Sequence, residues 1–151
     1  MRKLVYVDFP KIPEELLLPI EEIIDLNRPR ASTAVVPAYK IPGFDRKLMN
    51  IELAEWLVEN IPLKFEIMQY QVISQDVPQH TDLTKYAYNY QLTLGGPRVR
   101  TEFANSVGHI VESHIVPTYQ WVRLDSNELH GVRGIVPGQL RIAVNFRTSD
   151  S

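Results

Sequence analysis

Hydrophobic and polar residues alternate with two different periods along this chain, and the change comes near residue 63. Over residues 13–27, the apolar Leu16, Leu17, Leu18, Ile23 and Ile24 are set among Glu14, Glu15, Glu21 and Glu22. That spacing predicts one or two short helices restarted at Pro19, a residue tolerated in a first turn because the N–H it lacks has no intrahelical partner there. Pro29, Pro37, Pro42 and Gly43 predict a loop, with one short strand at residues 34–36. Asp45 can then cap a helix running to about Asn60. Leu48, Ile51, Leu53, Trp56 and Leu57 form its apolar face, and Glu52, Glu55 and Glu59 fall largely on the other.

From Leu63 onward the period is two. Tyr86, Tyr88, Tyr90, Leu92 and Leu94 alternate with Ala87, Asn89, Gln91 and Thr93, which predicts a strand with one apolar and one polar face, stopped by Gly95-Gly96-Pro97. Further strands are predicted at residues 63–73, 100–104, 109–116, 119–124, 129–132 and 140–147, separated by Gly, Pro, Asn or Asp turns. So many short strands predict a mostly β (α+β) fold built as a sandwich or barrel. In the last of them Leu140, Ile142, Val144 and Phe146 face one way, and Arg141, Ala143, Asn145 and Arg147 the other. The apolar face suits cover by the N-terminal helices. Arg141 then looks into the interior of a rolled sheet, where a ligand can sit. The chain, residues 1–151, reads as a single domain, with a helical support region at 1–62 and a β core at 63–148.

Composition narrows the chemistry. The 151 residues are 44% hydrophobic, enough for one core of ordinary size. Sixteen basic residues against 18 acidic ones leave a net charge of -2, which argues against a nucleic-acid partner. Arg28-Pro29-Arg30 and Arg98-Val99-Arg100 are short enough to be solvated surface. Cysteine is absent, so a metal site must use nitrogen and oxygen. Asp8 and Pro10 break the first apolar run before a signal-peptide core forms, and no stretch approaches the roughly 20 apolar residues of a membrane span. The cytoplasm is the default compartment, and no heptad or exposed apolar run defines an oligomeric state.

The four histidines, His80, His109, His114 and His130, are where such a metal site would start. In His80-Thr81-Asp82 the imidazole and the carboxylate are two residues apart, which on a strand puts both on one side and within reach of one cation. His130 lies between strands near the C-terminus, and Arg141 follows eleven positions later, beyond a turn at Pro137-Gly138. If those two segments pair as a hairpin, Arg141 folds back toward His130. His109 and His114 are spaced oddly for one strand face and read as structural or exposed.

His-X-Asp, a distal His and an Arg on the last strand resemble the double-stranded β-helix oxygenases that use Fe(II) and 2-oxoglutarate. The match of His80, Asp82, His130 and Arg141 covers roughly Phe65 to Arg147 in strand order as well as motif. Gln69-Tyr70-Gln71 is similar to the strand before the metal motif in prolyl-hydroxylase-like members. Trp121 through His130, with Arg141-Ile142, looks more like the aspartyl/asparaginyl and free-proline hydroxylases.

The resemblance implies a jelly-roll, cupin-like β-helix with the N-terminal helices packed outside one sheet. It also implies iron held by His80, Asp82 and His130, with 2-oxoglutarate and O2 as co-substrates and a C–H bond of an amino acid, peptide or small metabolite hydroxylated. Two imidazoles and a carboxylate leave three positions open on an octahedral ion. The planar fork of Arg141 suits the far carboxylate of the co-substrate in a way Lys would not reproduce. Tyr70 would touch the co-substrate, Asn89 and Gln91 would line the cavity, and Arg98, Arg100 and Glu102 would meet substrate at the rim. One alternative is a cupin-like metal protein of another class, an isomerase or lyase. A cupin's first motif usually has two histidines and a glutamate, and here Asp82 stands in place of the second histidine. The other alternative is a non-catalytic binding module on the same sheet.

Overall fold

Residues 2–25 and 42–149 are described in the computed structural model. The strand predicted at 34–36 and the Arg28-Pro29-Arg30 run lie outside them. The described elements are β1 (Leu4–Tyr6), a 3-10 turn (Glu14–Leu16), α1 (Ile20–Asp25), β2 (Phe44–Leu48), α2 (Ile51–Asn60), β3 (Ile67–Ile73), β4 (Val77–His80), β5 (Tyr86–Leu94), β6 (Arg100–Ala104), β7 (Ile110–His114), β8 (Trp121–Asp125), β9 (His130–Arg133) and β10 (Arg141–Thr148). They form a six-stranded sheet, in the order β1-β8-β5-β10-β3-β2, and a four-stranded sheet, β4-β9-β6-β7, both antiparallel. Leu4, Ala87, Val122 and Leu124 from the large sheet share a buried cluster with Phe103 from the small one, an arrangement compatible with a β-sandwich.

β10 lies near the centre of the large sheet, paired with β3 on one side and β5 on the other, and every residue in it is buried. Its alternation is the predicted one. Ile142, Val144 and Phe146 join Tyr88, Tyr90 and Trp121 in a core that also holds Ile23 of α1 and Leu53 and Leu57 of α2, so the helices cover the outer face of this sheet. Tyr88 stacks on Phe146, with ring centroids 4.6 Å apart. The indole N–H of Trp121 donates to the Pro10 carbonyl at 3.0 Å and anchors the segment between β1 and α1. Among the described residues no helix is long and apolar enough to cross a membrane.

Four expectations need correction. Asp45 does not cap a helix; residues 44–48 form edge strand β2 against β3, and α2 begins only after Asn50. Leu48 and Ile51 are consequently exposed, and Leu53 and Leu57 carry the buried face of α2. The N-terminal third is not purely helical support, since it supplies both edge strands of the large sheet, β1 and β2. Nor do β9 and β10 form a hairpin, because the chain changes sheets between them. Finally, a register shift on β5 pairs Thr93 with Ile142 but Gln91 with Ala143. The extra residue reverses the alternation, so Leu94 packs with the inter-sheet cluster instead of following Tyr88 and Tyr90.

Candidate metal centre and its cavity

β4 and β9 pair in a register that sets His80 opposite His130. Gly131 permits the approach: a Cβ there would lie 2.5 Å from the Val77 carbonyl oxygen. The two imidazole centroids are 4.4 Å apart. Asp82 lies just beyond the end of β4, where its N–H donates to the Ser126 carbonyl at 2.8 Å. The ligand atoms of His80, Asp82 and His130 all fall within 4.8 Å of one another, and these three residues can hold a metal ion.

Their hydrogen bonds fix the tautomers. Nδ1–H of His80 donates to the Pro78 carbonyl at 2.9 Å, and Nδ1–H of His130 donates to the Glu128 carbonyl at 2.8 Å. A carbonyl only accepts, so each neutral ring turns the lone pair of Nε2 toward Asp82, at 3.6 Å for His80 and 3.3 Å for His130. A carboxylate facing two lone pairs is a repulsive arrangement until a cation or a proton sits between them. Neutral imidazoles leave the buried Oδ2 of Asp82 with no donor. Two nitrogens and one oxygen on one side suit a divalent first-row ion with positions left open. The donor set therefore fits the group that the sequence motif implies.

Asp82 is ionised. Burial alone would raise its pKa, but the hydrogen bond and charge that His130 supplies once its Nε2 carries a proton, the guanidinium of Arg147 and then a protonated His80 outweigh it and hold the carboxyl well below the usual carboxylate range. Arg147 reaches Oδ1 at 3.0 Å. The pKa of His80 is lowered, first by burial and then by repulsion from His130, which favours the neutral ring that a metal requires.

A cavity opens between the sheets beside this cluster. Asn89, Gln91, Asn145 and Arg147 line it, and so does Arg141, only 2% exposed. Arg141 donates to the Thr101 hydroxyl at 3.2 Å and to the Leu94 carbonyl at 3.4 Å. Burial pushes its pKa down to about 10, with no carboxylate among the described residues to hold it up. Across the wall runs a row of amides: Gln69 donates to the Asn145 oxygen at 3.0 Å, and Asn145 donates to that of Asn89 at 2.7 Å. One row along, the Oε1 of Gln91 is buried without a donor.

The structure thus brings His80, Asp82, His130, Arg141, Asn89 and Gln91 to one cavity. Tyr70 is not among them. It points to the helix side of β3, where its hydroxyl donates to Asn50 Oδ1 at 2.7 Å and accepts from the Leu18 N–H at 3.3 Å. Gln69 and Gln71, its neighbours, take the inner face. Arg98 and Arg100 are exposed, and Arg100 donates weakly to Ser113 at 3.5 Å. Arg100 and Glu102 alternate with Thr101, which lines the cavity, so they lie on the outer face of β6; none of these three rim candidates lines the cavity. His114 binds Glu112 at 2.9 Å, and His109 is exposed. The sequence reading gave no role to Arg147 or Asn145, although the alternation of β10 already set both on the inner face.

Tyr70→Phe is accordingly expected to cost about 1–2 kcal/mol of stability, from the partners it strands, and to leave co-substrate affinity unchanged. Urea unfolding and calorimetric titration together check this.

No protein-family model matches the chain, and no curated protein matches it significantly.

Proposed function

We propose that this chain is an Fe(II)- and 2-oxoglutarate-dependent oxygenase built on a double-stranded β-helix. The observation that carries the reading is a buried guanidinium, Arg141, without a counter-charge among the described residues, in the same cavity as a two-histidine, one-carboxylate cluster. A lone buried cation costs several kcal/mol unless something neutralises it. A dicarboxylate that also reaches a metal answers both features at once.

His80, Asp82 and His130 would hold the ion on one side. When bound, iron with 2-oxoglutarate and O2 supplies oxidation of a C–H bond, coupled to conversion of the co-substrate to succinate and CO2. The remaining work belongs to the chain. Arg141 pairs with the far carboxylate and fixes the co-substrate's direction, and Thr101 holds that guanidinium in place. Carbonyls of Pro78 and Glu128 lock both imidazoles with Nε2 inward. Arg147 keeps Asp82 ionised and oriented. Asn145 and its amide neighbours form a rigid polar floor, and the apolar cluster of Ala87, Phe103 and Leu124 limits the water that can enter.

The test is succinate formation by the purified protein given Fe(II), 2-oxoglutarate and air, alongside calorimetric binding of 2-oxoglutarate to the Mn(II)-loaded protein. Slow iron-dependent succinate release and saturable binding are expected. Absence of both would leave a metal-binding β domain of another class.

A further inference from the structure

Arg46 sits on edge strand β2, paired directly with Gln71 of β3. Residues paired in this way project to the same face of a sheet, and Gln71 lines the cavity. Phe44, two residues earlier on the same strand, lines it too, and the Arg46 guanidinium lies over that ring, 5.6 Å from its centroid. Arg46 therefore faces inward on the last strand of the large sheet, backed by an aromatic plane. Burial lowers its pKa, as does repulsion from Arg147, against an opposing attraction from Asp82, so its charge is felt at the metal cluster. Among the described residues no carboxylate lies within ion-pair distance of it.

The charges around the cavity do not balance. Arg141 and Arg147 line it and Arg46 flanks it, and Asp82 is the single lining carboxylate among the described residues. A divalent ion together with a dianionic co-substrate adds no net charge, so two positive charges remain uncompensated. Arg147 is committed to Asp82, and Arg141 is at the buried end of the cavity. The charge left over is that of Arg46, half-buried beside the cavity.

We propose that Arg46 is the anion site for the primary substrate, and that this substrate carries a carboxylate, which the guanidinium takes in a forked pair with Phe44 behind it. The inference rests on the oxygenase reading for the word substrate, though the anion site itself does not. Arg46 would thereby select against neutral analogues and orient the rest of the molecule toward the metal cluster.

The test compares propionate with propionamide, which differ in charge but hardly in shape. Each is titrated into Zn(II)-loaded protein saturated with N-oxalylglycine, a co-substrate mimic, and the amide NMR shifts of residues 44–48 are followed. Propionate is expected to saturate at a concentration at least about ten-fold lower than propionamide, the worth of one charged hydrogen-bonded pair. Arg46→Gln should erase that preference and leave N-oxalylglycine affinity unchanged, and Arg46→Lys should restore part of it. Equal binding of the two probes, or a preference that survives Arg46→Gln, overturns the proposal. If the metal and N-oxalylglycine fail to bind, the oxygenase reading falls. The same titration on metal-free Arg141→Gln protein then still reads Arg46 alone, with the same expected preference and the same overturning result.

Discussion

Asp82→Ala is expected to lower affinity for Mn(II) by more than about 100-fold, beyond the loss typical of removing a partner outside the ligand set. In the metal-free protein it should also cost roughly 3 kcal/mol of stability. The two effects have separate origins. Metal affinity falls because the sole carboxylate of the cluster is gone. Stability falls because Arg147, buried in β10 and 3.0 Å from Asp82 Oδ1, loses its counter-charge. A double variant, Asp82→Ala with Arg147→Met, separates them, since stability should recover and metal affinity should not. Calorimetric metal titration and urea unfolding give both readings. Wild-type Mn(II) affinity in Asp82→Ala would remove that residue from the centre.

Arg141→Met should move two quantities in opposite directions. Affinity of the Mn(II)-loaded protein for 2-oxoglutarate should drop by about 2–5 kcal/mol, the range for removing one member of a buried charged pair. The ligand-free protein should become more stable by about 1–4 kcal/mol, because an apolar side chain of similar length replaces a cation buried without a carboxylate. A residue kept at the expense of stability is a residue kept for a ligand. Melting temperature without ligand, and binding with it, decide the point. A variant that is both less stable and unchanged in affinity would make Arg141 an ordinary packing residue.

Much of this arrangement was legible in the sequence, and the legible part is the part governed by period. The alternation of β10 assigned Arg141 and Asn145 to one face and Val144 and Phe146 to the other, as found. The His80-Thr81-Asp82 spacing brought an imidazole and a carboxylate together, and His130 joined them through strand pairing that no local pattern specifies. The missed strands had poor signals: β4 contains Pro78, and β2 reads Phe-Asp-Arg-Lys-Leu, a charged sequence of the kind that protects an exposed sheet edge. Missing β2 hid Arg46. Tyr70 was misplaced because analogy set its role, whereas simple alternation with Gln69 and Gln71 would have turned it outward. The turn at Pro137-Gly138 suggested a hairpin, but a turn fixes only a reversal of direction, not the sheet in which the next strand pairs.

His80 and His130 belong to one layer of the sandwich, and Arg141 belongs to the other. Any molecule that touches the ion with one end and that guanidinium with the other is a rivet through both layers. Capturing it would stabilise both layers against unfolding together, by about 2.7 kcal/mol at a hundredfold excess over its dissociation constant.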